Sequence, residues 1–292
     1  MQGSSLTIPA FSGTATKLRV LLQDPNVDLG RVAEVIKSDP GLTTQYLRAV
    51  KDHPDANKKT TDSISKVLSV TGLRALRQGT SFLNTVDMQT NQSVTRKWTQ
   101  FWPHSVLTAR LTERIGKAYR PRTGREYLAG LLHDSGKAFL EDYFPREFQG
   151  VLFQAAAAGC EMHEVEQRLL GITHAEISAM LCEKWNLQRE IVRAVRFHHE
   201  PDSPFNKDPA NLETEKLLAA CVCVADGLAN LCRVNIHIAN VFLDTTIEKL
   251  PGWPVLRSYH TQDPLDLNLE NELQETYKAI EATRSGMGNP TA

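Results

Sequence analysis

The residues best equipped for chemistry lie in Leu131-Leu132-His133-Asp134-Ser135-Gly136-Lys137. Here an imidazole directly precedes a carboxylate, and a lysine follows the histidine by four positions. Neutral imidazole and carboxylate together suit a divalent transition metal. The plainer alternative is a core histidine whose ring N–H meets a carbonyl, next to a capping or solvated aspartate. Short motifs often match by chance, so the choice turns on whether further ligands lie on other elements. Leu128, Leu131, Leu132 and Phe139 recur at helical spacing, and the motif is expected to ride on a largely buried helix.

Further candidates follow along the chain. His104 precedes Leu107 and Leu111 at helical intervals and shares their inward face. Thr173-His174-Ala175-Glu176 reads as a capping box, which fixes His174 in the first turn of a helix through Ile177, Met180, Leu181 and Trp185. His198 and His199 close a helix carrying Ile191, Val192 and Val195. They are either cations placed on the macrodipole or metal ligands at its negative end. Adjacent helical residues diverge by about 100 degrees, which favours service to two metals over chelation of one. Asp226 interrupts an apolar run, Leu217 to Leu231, that reads as a buried helix. A carboxylate there must be paired, with an arginine or with a metal. Each histidine also has a bland reading as a packed or surface side chain.

The elements that would position these residues read as helices throughout. Leu18, Leu21 and Leu22 mark a short helix closed by Asp24-Pro25, and Asp28 caps the next, with Val32, Val35 and Ile36 on its buried face. Asp39-Pro40-Gly41 interrupts the pattern before a helix through Leu42, Tyr46, Leu47 and Val50. Ile64, Val67, Leu68 and Val70 run up to a break at Gly72. The polar stretch Asp87 to Ser93 marks a boundary, and an aromatic segment, Trp98 to Trp102, precedes a helix through Val106, Leu107, Leu111 and Ile115. The fold class is therefore all-α. Residues 1–92 are expected to form an N-terminal helical subdomain, 93–235 a helical bundle with the candidate ligands, and 236–292 an extension. That extension should hold a helix between Leu265 and Ile280 and a disordered tail from Arg284.

Composition narrows the function. The chain has 292 residues, 41% hydrophobic and 23% charged, with a formal net charge of -1. That balance, with Lys and Arg spread along the chain, argues against DNA binding and against an anionic membrane surface. The start lacks the plan of a signal peptide, and no apolar run is long enough for a membrane span. Five cysteines, odd in number and set mostly in apolar helical patterns, suit reduced thiols and a cytoplasmic setting.

With these residues in view, the set His104, His133-Asp134, His174, His198-His199 and Asp226, with Lys137, resembles the ligands of the HD superfamily of metal-dependent phosphohydrolases. The additional histidines are similar to its bimetallic HD-GYP members. The Gly-Tyr-Pro signature is replaced, because Glu200-Pro201-Asp202 follows His199. From about Thr14 to Leu231 the chain resembles the HDOD branch, the HD-related output domains of bacterial signalling proteins. The resemblance rests on Asp39-Pro40-Gly41-Leu42, the Ala129 to Lys137 segment, the Gly171 to Ala175 helix start and the His198-His199-Glu200-Pro201 end. One departure is Lys51-Asp52-His53, where that branch carries an Asn-Ser-Ala-like stretch.

The resemblance implies a dinuclear site. His104, His133, Asp134 and Asp226 would hold the first ion. Asp134 would bridge to a second, completed by His174, His198 and His199. Two ions sharing a carboxylate clamp the attacking and leaving oxygens of a phosphoester and acidify a water. Lys137 either neutralises a phosphate oxygen or is a solvated helix lysine. Iron, manganese, nickel and zinc all suit such donors. Two functions then compete. One is a phosphohydrolase or phosphodiesterase of bacterial signal transduction, acting on a phosphoester or nucleotide through Asp134 and Lys137. The other is a non-catalytic output module that binds a nucleotide ligand or a protein, the latter through the N-terminal subdomain.

Overall fold

The computed structural model describes residues 8–50, 63–79, 83, 85–86, 92–119, 123–203, 212–231, 249–259, 274–275 and 278. The N-terminal part opens with helix α1 (Ser12–Gln23), which ends at Asp24 as its sequence predicts. In α2 (Leu29–Lys37), Asp28 caps the first turn by accepting the Arg31 N–H, and Val32, Ala33, Val35 and Ile36 form the buried stripe. Helix α3 (Pro40–Val50) starts at a proline whose missing N–H costs nothing in the first turn. Its approach is fixed by Asp39, a buried carboxylate that accepts the N–H of Leu42 at 3.0 Å and the N–H of Phe11 at 2.9 Å. Helix α4 (Ile64–Gly79) is broken at Gly72, where φ is +68°, at the glycine that interrupts the sequence pattern.

One feature lies outside the all-helical expectation. Strand β1 (Ala10–Phe11) pairs in parallel with β2 (Thr85–Val86). Two residues per strand are too few for an alternating pattern to register in sequence. All other described elements are helices.

The second part begins with α5 (Gln92–Tyr119), which starts earlier than expected and runs through the aromatic segment and Pro103. It is followed by α6 (Arg125–Leu132), α7 (Ser135–Tyr143), α8 (Pro145–Ala158), α9 (Met162–Leu170), α10 (His174–Lys184), α11 (Arg189–Arg196), α12 (Leu212–Leu231) and α13 (Gly252–Tyr259). Helix α5 packs on α6 and α12, α11 packs on α6, α10 and α12, and α10 also meets α7. The main core runs without interruption from Ile8 and the N-terminal helices to Val222 on α12. A second cluster joins Leu107, Leu111 and Ile115 of α5 to Val224 and Leu228 of α12 and Leu256 of α13. The carbonyls at the end of α2 accept hydrogen bonds from the second part: Tyr127 Oη donates to Lys37 at 2.9 Å, and Trp102 Nε1 donates to Ser38. These bonds satisfy carbonyls that a helix end leaves without intrahelical partners.

The expected helix between Leu265 and Ile280 falls largely outside the described residues, and the tail from Arg284 lies wholly outside them. Among the described residues, no helix is long and apolar enough to cross a membrane.

Because Asp39 satisfies two backbone donors from separate segments, Asp39→Ala should cost about 2–4 kcal/mol, the penalty for orphaning buried N–H groups. Urea denaturation monitored by circular dichroism measures this. A loss under about 0.5 kcal/mol would show that the two N–H groups find other partners.

Candidate metal centre

The expectation of one continuous helix under the His-Asp pair is corrected by the structure. Helix α6 ends at Leu132 and α7 begins at Ser135, so His133 and Asp134 occupy the joint between them. Asp134 leaves helical geometry at φ −102°, ψ 10°. His133 Nδ1 donates to the Gly130 carbonyl at 2.8 Å, which takes that carbonyl for the side chain. Side chains that would diverge on an intact helix thereby point to one place, with His133 Nε2 lying 3.3 Å from Asp134 Oδ2.

The other candidates converge on the same point. His104 projects from α5 and lies with Nε2 3.3 Å from His133 Nε2, 3.6 Å from Asp134 Oδ2 and 3.1 Å from Asp226 Oδ1. The backbones of α5 and α6 touch here: a Cβ on Gly130 would stand 2.7 Å from Ala109 Cα and 2.8 Å from the Thr108 carbonyl. Asp226 comes from buried α12, and its Oδ1 also accepts from Asn230 Nδ2 at 3.0 Å. Its close neighbours are thus imidazoles and an amide, not the arginine of the alternative reading.

A second group faces the other oxygen of Asp134. The capping box of α10 is present as the sequence predicts and presents His174, whose Nε2 is 3.2 Å from Asp134 Oδ1. His198 Nε2 is 3.9 Å from that same oxygen, and His199 Nε2 is 2.9 Å from His174 Nε2. The divergence of His198 and His199 expected from an uninterrupted helix does not occur. Helix α11 ends at Arg196, so the two rings lie in the turn beyond it and share one group. Two sets of donor atoms result, each within 4.8 Å: His104, His133, Asp134 and Asp226, then His174, His198 and His199. Lys137 is buried, not solvated, and its Nζ donates to Asp134 Oδ2 at 2.8 Å.

The electrostatics of this centre favour a cation. Burial opposes ionisation of Asp134, but His133 and Lys137 outweigh it and hold the carboxyl well below the usual carboxylate range. The same opposition at Asp226 is won by hydrogen bonds from His104 and His133. Burial pulls His133 down, yet Asp134 and Asp226 lift it to about 10. His198 is pushed down to about 3 by burial, reinforced by His133, and is a neutral imidazole. Its Nδ1 donates to the Val195 carbonyl at 2.7 Å, which leaves the Nε2 lone pair directed inward. That Nε2 and Asp134 Oδ1 are both buried without a hydrogen-bond partner. Orphaned acceptors, converging ring nitrogens and ionised carboxylates together could hold metal.

Sequence reasoning missed three participants. Glu166, fully buried on α9, places Oε2 2.6 Å from His174 Nδ1. His163 stacks on His199 with ring centroids 4.2 Å apart. Ser178 Oγ accepts the Gly136 N–H at 2.7 Å and ties α7 to α10. Glu and Ser on helices are read as surface residues by default, so only the fold reveals them.

With the geometry in hand, comparisons place the chain among known proteins. Residues 8–201 match the model of the HDOD domain family. A stretch of 206 residues is 25% identical to an uncharacterized protein of Treponema pallidum (strain Nichols), covering 69% of this chain and 40% of that protein. The chain thus spans well under half the length of that curated relative. The MmoQ response regulator of Methylococcus capsulatus superposes with a TM-score of 0.63 at 18% identity, covering 93% of this chain and 99% of that one. An HDOD domain protein of Geobacter sulfurreducens superposes with a TM-score of 0.53 at 22% identity, covering 96% and 93%. At these identities the likeness is one of fold.

Gly136 offers a direct test of how the two groups are held together. A Cβ there would stand 2.1 Å from the His174 carbonyl oxygen, which belongs to a backbone that cannot swing aside. Gly136→Ala should therefore destabilise the chain by about 1–3 kcal/mol or more, as overpacking does. A thermal melt within error of the parent would show that α7 and α10 tolerate separation.

Proposed function

The chain belongs to the HDOD domain family, and on that footing we propose that it is a metal-dependent phosphohydrolase acting on a phosphoester or nucleotide in bacterial signal transduction. The observation that carries this reading is the position of Asp134. One carboxylate oxygen faces His104 and His133, and the other faces His174 and His198. His104, His133, Asp134 and Asp226 would hold one ion, and His174, His198 and His199, with Asp134, a second. The donor set fits iron, manganese, nickel or zinc. Such a pair of ions, when bound, supplies Lewis acidity at phosphoryl oxygens and an acidified water at neutral pH.

The chain's own residues provide the setting. Asp134 fixes the spacing between the two groups. The Lys137 ammonium, anchored on Asp134 Oδ2, offers positive charge to a phosphoryl oxygen. Burial of His104, His133, His174, His198 and Lys137 excludes water and strengthens every charge interaction inside. His199 is partly exposed and marks the side from which substrate reaches the centre. A signalling setting is supported by the Methylococcus relative, which is named a response regulator. Helices α1 to α4 carry none of the cluster residues and are the part we assign to contact with a protein partner.

Protein purified without a histidine tag should carry two transition-metal ions per chain by elemental analysis. It should hydrolyse bis(p-nitrophenyl) phosphate or p-nitrophenyl phosphate. His133→Ala should lower that rate by more than about 100-fold, beyond the range of an outer-shell change. Substoichiometric metal that Asp134→Ala leaves unchanged would sink the metal centre. Two ions without turnover of either ester would sink the enzyme and leave the non-catalytic output module.

A further inference from the structure

The histidines of the centre differ in what holds their outer nitrogens. His133 Nδ1 donates to the Gly130 carbonyl at 2.8 Å, and His198 Nδ1 to the Val195 carbonyl at 2.7 Å. His174 alone among these three has a carboxylate, with Glu166 Oε2 2.6 Å from its Nδ1. The same oxygen accepts the backbone N–H of His174 at 2.7 Å, so one side chain fixes both ring and main chain. Glu166 is fully buried, and its Oε1 has no hydrogen-bond partner. Retaining such a carboxylate is costly unless positive charge lies close by.

The two groups also differ in their own charge. The first contains two carboxylates, Asp134 and Asp226. The second contains three imidazoles and shares only one oxygen of Asp134. A dication in the second position would be short of negative charge by comparison. Glu166 stands one imidazole away from that position.

We propose that Glu166 is a positioning residue that supplies this missing charge through His174 and so sets the affinity of the second metal position selectively. The inference rests on the dinuclear reading above. By accepting the Nδ1 proton, the carboxylate fixes the tautomer with its lone pair on Nε2, sets the ring orientation and makes Nε2 a stronger donor. Backbone carbonyls do the first two of these for His133 and His198 but carry no net charge. Loss of an outer-shell partner of this kind weakens metal binding by about 10–100-fold.

The test compares full-length wild type, Glu166→Gln and Glu166→Asp. Each is stripped of metal, titrated with Mn(II) by calorimetry, and followed by electron paramagnetic resonance. Wild type should take two ions with the signal of a coupled pair. Glu166→Gln should bind the first ion as wild type does and the second about 10–100-fold more weakly, with isolated Mn(II) replacing the coupled signal. Two ions at wild-type affinity in Glu166→Gln would overturn the proposal. Equal weakening of both ions would also overturn it, because selectivity would be gone. If Glu166→Gln melts below the titration temperature, Glu166→Asp decides the matter, since it keeps the charge but shortens the reach. Selective weakening of its second ion supports the proposal, and an unchanged second ion overturns it. Fewer than two ions in wild type would instead bring down the dinuclear reading, and this inference with it.

Discussion

Asp134 is a carboxylate with almost no access to water, set among His104, His133, His174, His198 and the Lys137 ammonium. An ionised group in such a place is tolerable only when charge and hydrogen-bond donors are supplied on every side. That requirement explains why four helices, α5, α7, α10 and α12, and two helix ends aim polar side chains at one point inside an otherwise apolar bundle. It also explains why the imidazoles around it carry opposite shifts. Asp134 and Asp226 lift His133 to about 10, whereas burial, reinforced by His133, pushes His198 down to about 3.

Meeting that requirement depends on breaks in regular structure more than on the helices themselves. The joint at His133-Asp134 and the turn after Arg196 let consecutive side chains converge, which an uninterrupted helix forbids. Gly130 and Gly136 then bring backbones within contact, so that α5 meets α6 and α7 meets α10 at the level of the ligands. The N-terminal helices join this bundle through a continuous core and through hydrogen bonds from Tyr127 and Trp102 to the end of α2.

Much of this was legible in the sequence because it is local. The Asp28 cap, the break at Gly72 and the Thr173-Glu176 capping box depend on residues a few positions apart. The candidate ligands were legible only as a set, since each histidine alone has a structural reading but their recurrence on separate apolar elements does not. What failed was anything set by tertiary contact. Helix geometry alone favours different metals for His198 and His199, but it assumes a continuing helix, and α11 ends at Arg196. Lys137 could be read as solvated because nothing local reveals that it is buried against Asp134. Glu166 looks like one more charge on the amphipathic α9, and only the return of the chain at Gly171 places it against His174.

The central claim is that Asp134 lies between two metal ions. Anomalous diffraction from crystals of metal-loaded protein, recorded above and below the absorption edge of the bound element, tests it most directly. The account predicts two anomalous peaks flanking the Asp134 carboxylate, about 3.5–4 Å apart as in two-metal phosphoester enzymes. A single peak on one side of Asp134, or none within reach of it, would contradict the account.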